Sequence, residues 1–141
     1  MYGRLADLMA EKGRQIYTIK AGASVYDAVY EMNHNRVGAV LVMDGERPVG
    51  IFTERDVLSR VVYTNLNPEV TRVVDVMTTD PVIADLGMLV GDAMALMTKR
   101  RFRHLPVRED GRVIGMVSIG DLIRWVLPGP GQHGSAQSEP N

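Results

Sequence analysis

One stretch of this chain is written twice. Gly50-Ile51-Phe52-Thr53-Glu54-Arg55-Asp56-Val57-Leu58 returns as Gly115-Met116-Val117-Ser118-Ile119-Gly120-Asp121-Leu122-Ile123, a shift of 121 − 56 = 65 residues. Asp27-Ala28-Val29 returns at the same shift as Asp92-Ala93-Met94, and 37–42 falls on 102–107. A fixed period over most of a short chain dictates architecture before any single motif does. Two like units, each with an apolar face, are expected to pack on each other and leave a ligand-sized cleft.

The first unit is expected over 5–63 and the second over 73–127, with a polar linker at 64–72. The Pro/Gly/Gln/Ser tail over 128–141 is too polar to order itself, so disorder is expected there. Each unit opens alike, Leu5-Ala6-Asp7-Leu8-Met9 and Val73-Val74-Asp75-Val76-Met77. A short strand is expected next, at 16–19 and at 82–84. A helix follows, capped in the first unit by Ser24 with Asp27 and lined on one face by Val25, Val29 and Met32, and in the second by Val90, Ala93, Met94 and Met97. Two apolar runs then flank a charged turn, Asp44-Gly45-Glu46-Arg47 or Arg108-Glu109-Asp110-Gly111-Arg112, which reads as a hairpin. A second helix closes each unit, giving βαββα twice. From Met9 to Asp27 is 18 positions but from Met77 to Asp92 only 15, which predicts a longer opening loop around Lys12-Gly13-Arg14 in the first unit.

Composition narrows the chemistry. The 141 residues carry net charge −1, so no global field draws the chain to nucleic acid or anionic lipid. There is no Cys, which removes disulfides, thiolate metal sites and Cys nucleophiles and fits a reducing, cytoplasmic setting. The longest apolar run, 37–43, is far short of the ~20 residues of a membrane span. His34, His104 and His133 lack metal-ligand spacing. No Ser sits in a Gly-x-Ser-x-Gly turn, and no catalytic set is visible, so an enzyme is not expected.

The repeated Gly-x-x-[Thr/Ser]-x-x-Asp marks a strand running into a helix. Thr53 and Ser118 are preferred N-caps, and Asp56 and Asp121 stand at the third helical position, where a carboxylate steadies the first turn. The same groups suit a nucleotide: free N–H groups and a hydroxyl for phosphate, and a carboxylate for paired ribose hydroxyls. Both readings stand on the residues alone, and the duplication favours the second. The basic run 99–104 reads as a helix end or a phosphate contact before a nucleic-acid patch.

These motifs, together with Arg101-Phe102-Arg103-His104-Leu105-Pro106-Val107, make the chain resemble a pair of cystathionine-β-synthase (CBS) domains, the Bateman module, from residue 5 to 127. The resemblance implies an α/β (α+β) tandem pair with pseudo-twofold symmetry and clefts between the repeats that bind AMP, ADP or ATP, a polyphosphate bringing Mg²⁺ where needed. NAD and S-adenosylmethionine remain open by the residue pattern. It implies Thr53 and Ser118 toward phosphate or ribose, Asp56 and Asp121 toward ribose hydroxyls, Thr18, Ile19, Val82 and Ile83 against the base, and Gly38 and Ala39 as small backbone-exposing positions. Arg103 and His104 replace Gly38 and Ala39 in the second repeat and would face phosphate, with Arg55 and Arg36 near in the first. The expected role is regulatory, with output through an effector protein or a change of oligomer. Val57, Leu58, Val61, Val62, Leu122, Ile123 and Trp125 are apolar enough on the closing helices to predict a homodimer. The competing reading is a dimerisation or partner-docking protein with empty clefts.

Overall fold

The computed structural model describes residues 2–127, so the tail over 128–141 lies outside the described residues. Two compact units form, and their borders do not follow the repeats. The central unit is Ile16–Val82; the split unit combines 2–15 with 83–127. Each unit thus takes the opening element of the other repeat.

The central unit holds β1 (Thr18–Lys20), α2 (Val25–Asn35), β2 (Ala39–Asp44), β3 (Arg47–Thr53), α3 (Glu54–Asp56) continuing as a π-helical stretch (Val57–Val62), α4 (Val73–Val76) and β4 (Thr78–Thr79). Its sheet runs β1-β2-β3-β4, with β1 parallel to β2 and the other pairs antiparallel. The core is built from the period-3.6 face of α2 (Val25, Ala28, Met32) against strand residues Val40, Val42 and Phe52, closed by Val61, Val73, Val76 and Met77. Val29, expected in that face, is only half-buried at its edge.

The split unit holds α1 (Leu5–Lys12), β5 (Ala84–Asp85), α5 (Val90–Arg100), β6 (His104–Glu109), β7 (Arg112–Ser118) and α6 (Ile119–Val126), with sheet order β5-β6-β7. Leu5, Leu8, Met9, Val90, Ala93, Met97, Leu105, Val107, Val117 and Leu122 are its buried apolar groups.

The 65-residue period survives atom by atom. Ala39 pairs with Thr53 as His104 pairs with Ser118, and each hairpin carries a bulge at the same place, after Val42 and after Val107. Helices α2 and α5 both end on an arginine in the left-handed region, Arg36 (φ 56°) and Arg101 (φ 62°). Both hairpins have two-residue loops. Asp110 and Gly111 both take positive φ, as a type I′ turn demands, whereas in the first hairpin only Gly45 does, the φ pattern of type II′.

Two expectations are corrected. The strand expected at 16–19 is Thr18–Lys20, and that expected at 82–84 is Ala84–Asp85. Pairing decides both, since Ile19 lies opposite Val42 and Ala84 opposite Val107. The longer opening loop expected around 12–14 begins only after Lys12, the last residue of α1, with 13–17 linking it to β1. The three extra residues extend α1 to eight residues against four in α4, roughly one added turn, and Gly13 at φ 99° ends it.

The opening elements dock identically. Val73 N donates to Ala23 O (2.8 Å) and Val25 N to Thr71 O (2.8 Å); Leu5 N donates to Met88 O (2.9 Å) and Val90 N to Gly3 O (2.9 Å). The repeated glycine explains itself here. A Cβ on Gly50 would stand 2.6 Å from both Met77 Sδ and the Thr78 carbonyl oxygen, and one on Gly115 would strike Met9 Cε.

Candidate functional site

The two Gly-x-x-[Thr/Ser]-x-x-Asp copies form the same capping box. Asp56 N donates to Thr53 Oγ1 (3.2 Å) while Thr53 N donates to Asp56 Oδ2 (3.0 Å). Asp121 N donates to Ser118 Oγ (3.0 Å) while Ser118 N donates to Asp121 Oδ2 (2.8 Å). Each box satisfies two backbone donors at a helix start. A strand-to-helix hydrogen bond repeats too: Glu54 N to Gly38 O (3.0 Å) and Ile119 N to Arg103 O (2.9 Å). The register therefore brings Gly38, Ala39, Thr53, Arg55 and Asp56 to one corner of the central unit, and Arg103, His104, Ser118 and Asp121 to the matching corner of the split unit.

Beyond the boxes the copies part company. Asp56 is 4% exposed. Its Oδ1 accepts from Thr78 Oγ1 (3.1 Å) and pairs with Arg60 Nε (3.5 Å), and its Oδ2 also accepts from Thr53 Oγ1 (3.2 Å). Thr78 is held there by the β3–β4 pairing of Ile51 with Thr78. Arg60 lies at i+4 within the π-helical stretch, and its Nη1 also donates to Met77 O (3.0 Å).

Asp121 keeps 17% of its side chain exposed and faces cations. Arg124 Nη2 donates to Oδ1 (2.8 Å), and Lys12 Nζ stands 3.6 Å from Oδ2. Lys12 comes from the added turn of α1. Asp121 and both cations line a cavity of about 230 Å³ with Leu8, Glu11 and Trp125. The Trp125 indole N–H donates to the Tyr2 carbonyl (2.7 Å).

The base-facing positions sit less evenly. Thr18 is exposed and Ile19 half-buried on β1, next to the core of the central unit. Val82 and Ile83 are half-buried and precede β5. Because Ile19 and Ala84 hold equivalent registers, Ile83 stands where Thr18 does, and Val82 belongs to the central unit while Ile83 belongs to the split unit. Arg55 and Arg103 are exposed, and His104 is half-buried.

Sequence reasoning missed Thr78, Lys12, Glu11, Arg124 and Trp125. The first two had a signal, the opening element that recurs at a shift of 77 − 9 = 68 residues rather than 65, but its location on the other repeat's sheet is not written in any local pattern. Of the apolar residues on the closing helices, Val61 and Leu122 are buried inside their own units, whereas Leu58 (64%) and Val62 (63%) are exposed. Among the described residues no helix is long and apolar enough to cross a membrane, and no group of three or more His, Asp or Glu could hold a metal ion.

Comparison with known proteins agrees with this architecture. The family model described as the CBS domain matches residues 5–63 and 73–128. The mitochondrial CBS domain-containing protein CBSX3 of Arabidopsis thaliana is 39% identical over 132 residues, covering 87% of this chain and 64% of that protein. The chain spans only 18–20% of further plant relatives. Among solved structures, the CBS-domain protein ATU1752 from Agrobacterium tumefaciens superposes with a TM-score of 0.85 at 34% identity, covering 90% of this chain and 96% of that one. CBS domain protein PAE2072 from Pyrobaculum aerophilum, solved in complex with AMP, has a TM-score of 0.74 at 25% identity, covering 84% and 88%.

Proposed function

The chain belongs to the CBS-domain family as a tandem pair, and on that premise we propose that it is a regulatory module that senses an adenosine-containing nucleotide of the AMP, ADP or ATP type. The observation that carries the reading is the Ser118–Asp121 corner. A carboxylate one turn into a helix lines a cavity beside Lys12 and Arg124, which pairs an acceptor for ribose hydroxyls with donors for phosphate. The AMP held by the structurally similar PAE2072 supports the choice of ligand class. At about 230 Å³ the cavity is smaller than the ~300–1,000 Å³ of sites that enclose a whole drug-sized ligand, so it takes the polar end of a nucleotide and leaves the rest outside.

In this proposal Ser118 faces phosphate or ribose and Asp121 the ribose hydroxyls, with Thr53 and Asp56 as their counterparts in the other copy; Thr18, Ile19, Val82 and Ile83 face the base, and Gly38 and Ala39 allow close backbone approach. Arg103 and His104, with Arg55, carry the added charge of a di- or triphosphate and its Mg²⁺. Binding biases the packing of the module by population shift, and an effector protein reads the result, in a cytoplasmic setting and without catalysis.

A second reading, a docking or dimerisation protein without nucleotide, draws on exposed Leu58 and Val62 at i and i+4 of one helix face. The two are compatible if the sensor is a homodimer. Calorimetric titration with AMP, ADP, ATP, NAD and S-adenosylmethionine separates them: micromolar or tighter heats with at least one ligand support the sensor, and silence with all five leaves docking. Arg103→Ala/His104→Ala is expected to weaken ATP binding roughly tenfold or more while sparing AMP. Sedimentation above the 15.6 kDa of one chain tests the dimer.

A further inference from the structure

The three residues that distinguish the repeats become one added turn of α1, and that turn ends on the residue that meets Asp121. In the central unit the same place is taken by β4, whose Thr78 hydroxyl binds Asp56. The two aspartates therefore rest on different partners. Asp56 is held by neutral hydroxyls, a backbone N–H and Arg60, and its Thr78 partner cannot leave without unpairing β4 from β3. Asp121 is held on its outer side by Lys12 of α1 and Arg124 of α6, whose side chains are 33% and 74% exposed.

We propose that the Asp121 copy is the one binding copy of this chain and that Lys12 is the residue through which it selects phosphorylated over unphosphorylated nucleosides, the Asp56 copy being a structural lock. The inference rests on the nucleotide reading above. Its mechanism is an exchange of partners. Without ligand, Lys12 and Arg124 neutralise Asp121, and Glu11 on the same cavity wall leaves two acids against two cations. A ligand whose vicinal hydroxyls take over the Asp121 oxygens displaces Lys12, and an ammonium drawn away from its carboxylate loses a charge-assisted contact. A phosphate on the same ligand receives it, so charge stays paired throughout. A nucleoside offers the hydroxyls and no anion, so it must compete with Lys12 and gains nothing from it. Asp56 offers no such exchange, since its partners are neutral or pinned by the fold.

The test titrates AMP and adenosine into the full chain, as wild type and as Lys12→Met and Lys12→Gln, with circular dichroism to verify folding. Expected are one AMP per chain, a preference for AMP over adenosine, and a roughly tenfold loss of AMP affinity in both variants with adenosine unchanged or tighter, so that the preference collapses. Two AMP per chain, or an AMP/adenosine ratio untouched in folded Lys12 variants, overturns this inference and leaves the nucleotide reading standing. Binding of neither ligand by the wild type overturns this inference, and silence with ADP and ATP as well overturns the nucleotide reading too. If neither variant folds, the number of AMP sites on the wild type decides, one supporting and two refuting.

Discussion

Asp56 and Asp121 occupy the same position of the same motif, yet their surroundings give them different partners. A carboxylate that is 4% exposed survives burial only if its oxygens are fully engaged, and Asp56 engages Thr53, Thr78 and Arg60. Removing it strands those donors inside the protein. Asp56→Ala is therefore expected to destabilise by about 2–4 kcal/mol. Asp121→Ala, which opens onto solvent and loses mainly a cap, is expected to cost about 1 kcal/mol. Urea denaturation of the two variants checks the order, and equal losses would contradict the assignment. From sequence both aspartates were legible as caps, with a ligand role as a second expectation. What separated them, Thr78 on one and Lys12 on the other, comes from elements 22 residues away in one case and 109 in the other, 78 − 56 and 121 − 12.

At the scale of elements the repeats can be compared turn by turn. Ser24 caps α2 by accepting from Asp27 N (3.0 Å), and its bridge to Arg72 matches the bridge of Leu89 to Arg4. Leu89 holds the cap position of α5 in the same extended backbone (φ −69°, ψ 141°, against −74° and 157° for Ser24) but has no side-chain acceptor. Leu89→Ser is expected to stabilise by about 0.5–1 kcal/mol by accepting from Asp92 N, and Ser24→Ala to destabilise by about 1 kcal/mol. Thermal melts of the two variants should shift in opposite directions. The strand–helix–strand–strand–helix order was legible because hydrophobic period and turn residues are local signals. The π-helical stretch and the added turn of α1 were not. The first follows no local sequence pattern, and the second adds Ala10, Glu11 and Lys12 directly before Gly13, a stretch that also suits a loop.

At the scale of the molecule, the units are assembled by exchange. The central unit is one continuous segment and owns a complete core, whereas the first repeat by itself lacks Val73, Val76 and Met77, which close that core, and lacks β4, which covers Gly50. A fragment spanning 16–82 is expected to unfold cooperatively in urea with dispersed amide NMR signals. A fragment spanning 5–63, cut at the repeat border, is expected to show neither, because several buried apolar side chains worth about 1.5–3 kcal/mol each are missing. Cooperative unfolding of both fragments alike would contradict the exchange.

The residues in order were sufficient for the duplication, the family resemblance, the hairpins and the capping boxes, since each depends on spacing within a few turns or on comparing the chain with itself. Tertiary structure alone decided which sheet each opening element would cover, and through that choice which aspartate would be sealed and which would face a cavity. The physical reason is that burial and charge pairing are set by neighbours in space, and the neighbours that matter here, Thr78 for Asp56 and Lys12 for Asp121, arrive from the opposite repeat.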